Sequence, residues 1–398
     1  MLDRRYIELL EAAVDAADRL GFREGQREFL DRLSDLAFDP DDDPEAVGRV
    51  YLLHGRYAVS TGQFGLARGM LRNAVQLFEK SATTILLSEA LRRLAHVQAQ
   101  VGELGDARQL AERALALAEV DAQRALAHNA LGVIDVLEDQ LESALSHADS
   151  ALALLRSDRG YHIPGAHAAA YLLRARVYRI LGSPARALAS ASRAARLAAI
   201  SGEKRLLAEI SARLGGLLLD LNRPREAEAR IREALRLCDQ IEDRRGQAIA
   251  GLFLGILLWE QTDPEALQTL NNAGELARTI GLERLEAVAL ALMARVHREA
   301  GRLDEALELC ERASQSLEQH GAELNDRIVI RGTHALVLAT RGERGRSRRI
   351  EKELEQRIES DNRRIRSPRL LLRHDRAARR LLEAVLSPEG PVYPRAAT

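Results

Sequence analysis

The sequence has few of the residues that build β-sheets or disulfide frameworks. Aromatic residues make up 4% of its 398 residues, and it contains two cysteines and one tryptophan. Alanine and leucine dominate an apolar fraction of 46%, whereas β-branched residues are sparse. This composition favours helices over strands. The two cysteines, Cys238 and Cys310, are too few for a disulfide framework or a metal knuckle, so we expect buried thiols in a reducing compartment.

The chain also lacks a long apolar segment. Its longest strongly apolar run, GLFLGILLW (251–259), is about half as long as a bilayer-spanning helix. Acidic residues interrupt the N-terminal stretch MLDRRYIELLEAAVDAADRL, where a signal peptide would have its apolar core. We therefore expect a cytoplasmic protein that does not span a membrane.

Motifs for catalysis are missing as well. The sequence contains none of G-x-x-x-x-G-K-[ST], G-x-G-x-x-G, H-E-x-x-H, C-x-x-C or G-x-S-x-G. His128, His147, His162 and His167 cluster only loosely, which is more typical of surface or packing histidines than of metal ligands. We predict that the protein is not an enzyme and needs no cofactor or metal.

What the chain does have is a repeated spacing of small residues. A small residue is followed seven positions later by glycine, five later by alanine and seven later by alanine. Four units show the full pattern: Gly55/Gly62/Ala67/Ala74, Ala95/Gly102/Ala107/Ala114, Ala175/Gly182/Ala187/Ala194 and Ala294/Gly301/Ala306/Ala313. Four more keep the frame less strictly: Gly132/Asp139/Ala144/Ala151, Gly215/Asn222/Ala227/Ala234, Gly255/Thr262/Ala266/Ala273 and Ala335/Gly342/Ser347/Leu354.

This spacing is typical of two antiparallel helices that pack closely. Small side chains at the crossing let the backbones approach, and leucines at helical spacing fill the surrounding core. Glycine in the turn can adopt the left-handed conformation that ends a helix, and Asp139 and Asn222 are good replacements for it. Successive units start 37 to 43 residues apart, so the pattern predicts a chain of helix hairpins.

The small-residue pattern resembles the tetratricopeptide repeat (TPR) over residues 45–360. Its period near 40 residues is longer than the common form and is similar to the repeats of kinesin light chains, peptide-sensing phosphatase regulators and bacterial ATPase-type transcription regulators. The resemblance implies an all-α protein, a right-handed α-solenoid (superhelix) of about eight TPR-like hairpins with helical caps. It also implies longer helices or longer inter-repeat turns.

The two ends of the chain have opposite charge. Residues 1–48 hold 14 acidic and 6 basic side chains, whereas residues 331–380 hold 7 acidic and 16 basic ones. We predict an acidic helical cap over 1–44, a basic capping helix over 361–386 and a flexible tail over 387–398.

In the family that the chain resembles, the first helix of each hairpin lines a concave groove. Its predicted binding residues in this sequence are Arg49, Arg56, Arg92, Arg93, His96, Asn129, Arg176, Arg179, Arg213, Trp259, Arg295 and Arg298. The N-terminal half of this groove should be cationic and the later half mixed, which suits an acidic peptide. Trp259 is either a packing residue or an anchor in the groove.

The leading prediction is a protein-interaction scaffold that binds a peptide segment or helix, with a role in bacterial signalling or regulation. A nucleic-acid-associated regulator is the alternative, through a basic C-terminal patch of Arg344, Arg346, Arg348, Arg349, Arg363, Arg364 and Arg366. Against it, this region has no aromatic residues for base stacking, and its acids alternate with its arginines. The opposite charges of the two ends also permit head-to-tail self-association.

Overall fold

The structure is a computed structural model that describes residues 4–36, 40–157, 163–320 and 323–361. Within these ranges every regular element is an α-helix. The helices are α1 Arg4–Leu20, α2 Arg23–Ser34, α3 Pro44–Ser60, α4 Phe64–Lys80, α5 Thr84–Gln100, α6 Leu104–Ala116, α7 Asp121–Leu137, α8 Leu141–Ser157, α9 Pro164–Ile180, α10 Pro184–Ser201, α11 Lys204–Asp220, α12 Pro224–Gln240, α13 Arg244–Glu260, α14 Glu265–Thr279, α15 Glu283–Glu299, α16 Leu303–His320, α17 Leu324–Thr340 and α18 Arg344–Asp361.

Consecutive helices pack as hairpins, each of which also contacts the next hairpin. The eight predicted units correspond to the hairpins from α3–α4 to α17–α18, so the predicted α-solenoid is confirmed. The first helix of every unit is 17 residues long, which is why the repeat is longer than the common tetratricopeptide form. Because these first helices have one length, residues at equal positions along them can be compared directly.

Small residues lie at the helix crossings, as the spacing predicts. Ala67 and Ala74 of α4 are fully buried, and a Cβ atom added to Gly55 of α3 would lie 2.7 Å from the Leu71 side chain. An added Cβ at Gly132 of α7 would similarly lie 2.5 Å from Leu173. Helices of one hairpin, such as α3 and α4, and of neighbouring repeats, such as α7 and α9, therefore approach too closely to accept a larger side chain at these positions.

The turn within each hairpin adopts the left-handed conformation. Gly62 has a φ of 78°, and Asp139, Asn222 and Thr262 have values of 63°, 59° and 58° at the equivalent position. The three non-glycine residues tolerate this conformation at some cost. The prediction that Asp139 and Asn222 replace the turn glycine is confirmed.

The N-terminal segment forms a ninth hairpin, α1–α2. Leu10 and Val14 of α1 pack with Leu30 and Leu33 of α2, and Leu53 of α3 joins their cluster. The acidic segment is thus helical over Arg4–Leu20 and Arg23–Ser34. The division of the chain into a cap over 1–44 and a solenoid over 45–360 stays a prediction, as do the basic helix over 361–386 and the tail over 387–398, which lie outside the described residues apart from Asp361.

The superhelix closes on itself, because turns about 220 residues apart contact each other. The Arg23 Nε donates a hydrogen bond of 2.8 Å to the backbone oxygen of Ile241. An added Cβ at Gly62 would lie 3.2 Å from Ile280, and one at Gly102 would lie 3.1 Å from the backbone oxygen of His320. We call this line of contacts between successive superhelical turns the seam. Five to six repeats therefore make one full turn.

Both cysteines are fully buried, as predicted, on α12 and α16. Burial raises the pKa of the Cys238 and Cys310 thiols to about 12. Both thiols therefore stay protonated and act as small apolar side chains. Among the helices of the described ranges, none is both long enough and apolar enough to cross a membrane.

Candidate functional site

The first helices of the later repeats surround a pocket inside the superhelix. Residues of α9, α11, α13, α15 and α17 line it, and it encloses about 1090 Å³ of empty space, including open solvent. We call the inner surface formed by the first helices the channel. The pocket is the part of the channel that five consecutive repeats, from α9 to α17, surround.

The floor of the pocket is apolar. Four of its residues, Ile249, Leu252, Phe253 and Ile256, lie one helical turn apart or less on α13, and leucine and valine residues of α15 continue the floor. Gly216 of α11 leaves room for Phe253, since a Cβ there would lie 2.3 Å from its ring. The floor is therefore a surface on which apolar side chains of a ligand could be buried.

Arginine–carboxylate pairs border this floor. The Arg179 Nε lies 2.5 Å from Asp220 Oδ2, and the Arg213 Nε lies 3.2 Å from Glu209 Oε1. Burial opposes ionisation of Glu209, but Arg245 and Arg213 hold its pKa far below the ordinary value. The border thus presents fixed charges of both signs.

One carboxylate holds two arginines from different repeats. Glu323, at the start of α17, is buried and accepts hydrogen bonds from Arg176 of α9 and, at 3.0 Å, from Arg284 of α15. Burial opposes its ionisation, but the two arginines lower the pKa of Glu323 to about 2. Nearby Asp326 has its pKa raised to about 6 by burial and by the charge of Glu323. Because Glu323 takes both arginines, a proton binds more readily to Asp326.

This difference predicts a pH-dependent effect of Asp326→Asn. The pKa of Asp326 is higher in the folded protein than the ordinary value of 3.8, so its ionisation lowers stability progressively between about pH 4 and pH 6, and the full cost is present above pH 6. We expect Asp326→Asn to raise the free energy of unfolding by about 1–3 kcal/mol at pH 8 and by clearly less at pH 5. Urea denaturation at both pH values measures this, with exposed Asp42→Asn as the control. Equal effects at the two pH values would contradict the assignment.

Trp259 lies at the edge of the pocket rather than on its floor. The Arg295 guanidinium carbon lies 4.7 Å from the centre of the Trp259 ring, and the indole Nε1 donates a hydrogen bond of 2.6 Å to Glu299. Arg295 lines the pocket and is 3% exposed, and Arg298 is paired with Glu299. The single tryptophan therefore touches a pocket-lining residue through a cation–π contact.

Predicted groove arginines nearer the N-terminus are mostly engaged by acids. Arg49 pairs with Glu45 of α3 and with Glu11 of α1. Arg56 likewise pairs with Asp15, 2.6 Å away, and more weakly with Asp18. These ion pairs partly neutralise both arginines and connect α1 to α3. The proposal that they belong to a binding groove is weaker for these two residues than for Arg179, Arg213 and Arg295, which line the pocket.

Asn129 and the histidines of the third unit occupy different settings. Asn129 is the ninth residue of α7, and its Oδ1 atom is buried with no hydrogen-bond partner among the described residues. The Nδ1 atoms of His128 and His147 lie 2.9 Å apart, as in a histidine–histidine hydrogen bond. Among the described side chains, no group of three or more metal-ligating residues converges.

The basic C-terminal patch is partly neutralised where the structure describes it. Arg346 pairs with Glu343 and Glu311, and Arg349 pairs with Glu353, whereas Arg344 and Arg348 have no ion pair with any residue of the described ranges. The remaining predicted members of the patch, Arg363, Arg364 and Arg366, lie outside those ranges. The patch therefore stays a prediction.

Sequence reasoning missed a second set of channel arginines. Arg205, Arg245 and Arg284 are each the second residue of their helix, in α11, α13 and α15. Arg245 and Arg284 line the pocket, and Arg205 lies beside Asp243. Their recurrence about 40 residues apart was a visible signal. The apolar floor was missed as well, because its residues resemble ordinary core positions.

No protein-family model matches the sequence, and no curated protein sequence is significantly similar to it. Solved structures do share its fold. A Rap protein complexed with competence and sporulation factor is 15% identical, with a TM-score of 0.58 over 85% of this chain and 96% of that one. The apo form of the quorum sensor NprR from B. thuringiensis is 13% identical, with a TM-score of 0.52 over 88% and 98%. Aspartyl phosphate phosphatase F from Bacillus subtilis is 11% identical, with a TM-score of 0.51 over 89% and 94%.

These similarities concern the fold, since the identities are low. Their agreement with the repeated hairpins, the small-residue crossings and the left-handed turns is the basis for assigning the architecture. The chain is therefore a tetratricopeptide-type α-solenoid.

Proposed function

We propose that the protein is a non-catalytic interaction scaffold that binds a peptide segment or a helix in its channel, as a regulatory protein of the cytoplasm. The observation that carries the proposal is the pocket, whose apolar floor is bordered by arginine–carboxylate pairs. A peptide offers both apolar side chains for the floor and polar backbone groups for the border.

Two further observations support a peptide as the ligand. The Oδ1 atom of Asn129 on α7 is buried and has no hydrogen-bond partner among the described residues, so after a change of rotamer it can accept a hydrogen bond from a peptide N–H. The second observation is the names of two proteins of similar fold, one a Rap protein complexed with competence and sporulation factor and the other a quorum sensor. A third protein of similar fold is named a phosphatase, so the fold does not by itself exclude catalysis. That this protein is non-catalytic is therefore part of the proposal.

The proposal also covers the charge of the partner. Pocket-lining arginines outnumber pocket-lining carboxylates, with Arg179, Arg213, Arg245, Arg284 and Arg295 against Asp220, Glu260, Glu323 and Asp326. A ligand with an acidic segment therefore suits the pocket better than a basic one. Head-to-tail self-association through the charged ends is a separate proposal, for which sedimentation at low and high salt is the test.

A substitution in the floor should abolish peptide binding. Panning a random peptide library on the immobilised protein supplies the ligands, and fluorescence of the single tryptophan, Trp259, reports their binding. Ile256→Glu places a charge on the half-exposed part of the floor, and we expect it to weaken binding at least about tenfold. Leu66→Glu introduces the same charge at an exposed position of α4 and should leave binding unchanged.

Two results would argue against the proposal. The first is that no peptide is enriched over the bare matrix and that crosslinking in the native cell recovers no protein. The second is that peptides bind Ile256→Glu as tightly as the unchanged protein. Thermal midpoints of both variants establish that they are folded.

A further inference from the structure

The channel surface is apolar at α13 and polar at α5. The ninth, tenth and thirteenth residues of α13 are Leu252, Phe253 and Ile256, which form the apolar floor. The same three positions of α5 are Arg92, Arg93 and His96. Because both helices have 17 residues and the same place in their repeats, these side chains project in equivalent directions. A second, strongly polar region therefore lies in the N-terminal part of the channel.

The arginines of this region share few carboxylates. Glu89, one turn before Arg93 on α5, accepts its Nε hydrogen bond at 2.8 Å. Burial opposes ionisation of Glu89, yet Arg93 chiefly, with Arg92 and Arg56, lowers its pKa to about 2. Glu89 is therefore ionised, and its carboxylate is already paired with Arg93.

Other acidic groups nearby are committed elsewhere or compensate poorly. Asp15 and Asp18 pair with Arg56, and Asp18 also pairs with Arg23. Burial raises the pKa of Glu203. On this part of α5 the single carboxylate of Glu89 faces two guanidinium groups, Arg92 and Arg93, so positive charge is in excess.

Arg92 carries that charge. It is half-buried, and it makes no hydrogen bond or ion pair with any residue that the structure describes. Burial and the adjacent charge of Arg93 lower the pKa of Arg92 to about 10, so it stays charged at neutral pH although its surroundings oppose the charge. The Arg92 guanidinium has five N–H donors in a planar fork, and none of them has an acceptor among the described residues.

His96 adds no charge to this part of the channel at neutral pH. Burial, together with Arg245 and Arg205, lowers its pKa to about 3, so the ring is neutral at neutral pH. Its neutral imidazole adds a hydrogen-bonding group without adding charge.

We propose that Arg92, supported by Arg93 and His96, forms a binding site for a single oxyanion, either a carboxylate or a phosphate group. An incoming oxyanion would accept two parallel hydrogen bonds from the Arg92 fork and would supply the missing negative charge. It would also relieve the repulsion between adjacent arginines inside a partly desolvated channel. The anion comes either from an acidic group of the channel ligand or from a small free anion, and only the first source rests on the proposed function.

The site is connected to the pocket by a run of charged groups. Arg245 lines the pocket, and its charge lowers the pKa of His96. It also lies 3.8 Å from Glu209, which in turn pairs with Arg213. Arg245 also donates a hydrogen bond of 3.1 Å to Gln100 of α5. A ligand on the apolar floor could therefore extend along the channel and place an acidic group at Arg92.

Anion titrations with inorganic probes test the site without a peptide. Phosphate and acetate are titrated against chloride at constant ionic strength, and binding is followed by calorimetry and by the thermal midpoint. We expect saturable binding with a dissociation constant of about 1 mM, weakened at least about tenfold by Arg92→Gln. Arg236→Gln on exposed α12 is the matched control and should bind as the unchanged protein does.

The same variants separate the two sources of the anion. If the group belongs to the channel ligand, Arg92→Gln weakens acidic peptides from the library and leaves their amidated, neutral forms unchanged. If it is a free anion, phosphate and the peptide bind together, and Arg92→Gln affects phosphate alone. Either result supports the site. Binding of phosphate and acetate that does not exceed chloride, or that survives Arg92→Gln, would overturn it, whether or not peptides bind the pocket.

Discussion

Replacing Glu323 by alanine is expected to lower the free energy of unfolding by about 3–5 kcal/mol at pH 8. The substitution removes the carboxylate that Arg176 and Arg284 share, and both arginine side chains are less than a fifth exposed. Two charged groups would be left inside the protein with weaker acidic neighbours, such as Asp326, whose closest oxygen lies 4.0 Å from Arg284. Urea denaturation at pH 8 measures the loss.

The effect of Asp326→Asn on stability should change sign when Glu323 is replaced by alanine. With Glu323 present, ionised Asp326 is repelled, so Asp326→Asn stabilises the protein at pH 8. Without Glu323, Asp326 becomes the only acidic group of this pair left for two arginines, so Asp326→Asn should then destabilise it. Glu353→Ala on α18 is the control, because its pair with Arg349 is exposed and should contribute less than about 1 kcal/mol. A loss for Glu323→Ala no larger than that of Glu353→Ala would contradict a structural role for the pair.

The second large effect concerns the helix crossings. Gly132→Leu should lower the free energy of unfolding by about 3 kcal/mol, since even a Cβ there would lie 2.5 Å from Leu173 and 3.3 Å from the backbone oxygen of Ala144. The helices α7, α8 and α9 would have to move apart. Denaturant unfolding of the variant measures the cost.

Gly69→Leu is a matched control with the opposite sign. Gly69 lies on exposed α4, and a Cβ there meets nothing within 4 Å. Leucine is a better helix former than glycine, so this variant should be stabilised by several tenths of a kcal/mol. If both substitutions had the same effect, close packing would not be the reason for small residues at the crossings.

The sequence contained enough information to predict the hairpins. Each of Gly62, Asp139 and Asn222 stands where the backbone must turn left-handed, and each unit places small residues where helices touch. These requirements are local, since they involve residues of one repeat or of its neighbour. A regular spacing of small residues is therefore sufficient to predict the order of the helices.

The seam and the pairing of channel charges were not predictable in the same way. Each repeat adds a small rotation, and five to six rotations decide which turns meet. The partner of Arg176 is 147 residues away at Glu323, and that of Arg327 is 188 residues away at Asp139. Counting arginines along the first helices predicted a cationic groove, but the charge that remains depends on these distant partners.

Closure of the superhelix has a consequence for how the protein unfolds. In an open array each repeat contacts only its neighbours, so terminal repeats can fray independently of the rest. Here the first repeats contact repeats of the second superhelical turn, through pairs such as Arg23 with Ile241 and Gly62 with Ile280. Fraying of α1–α2 would therefore break contacts in the middle of the chain. We expect amide protons of both regions to exchange in one cooperative event rather than in sequence from the ends.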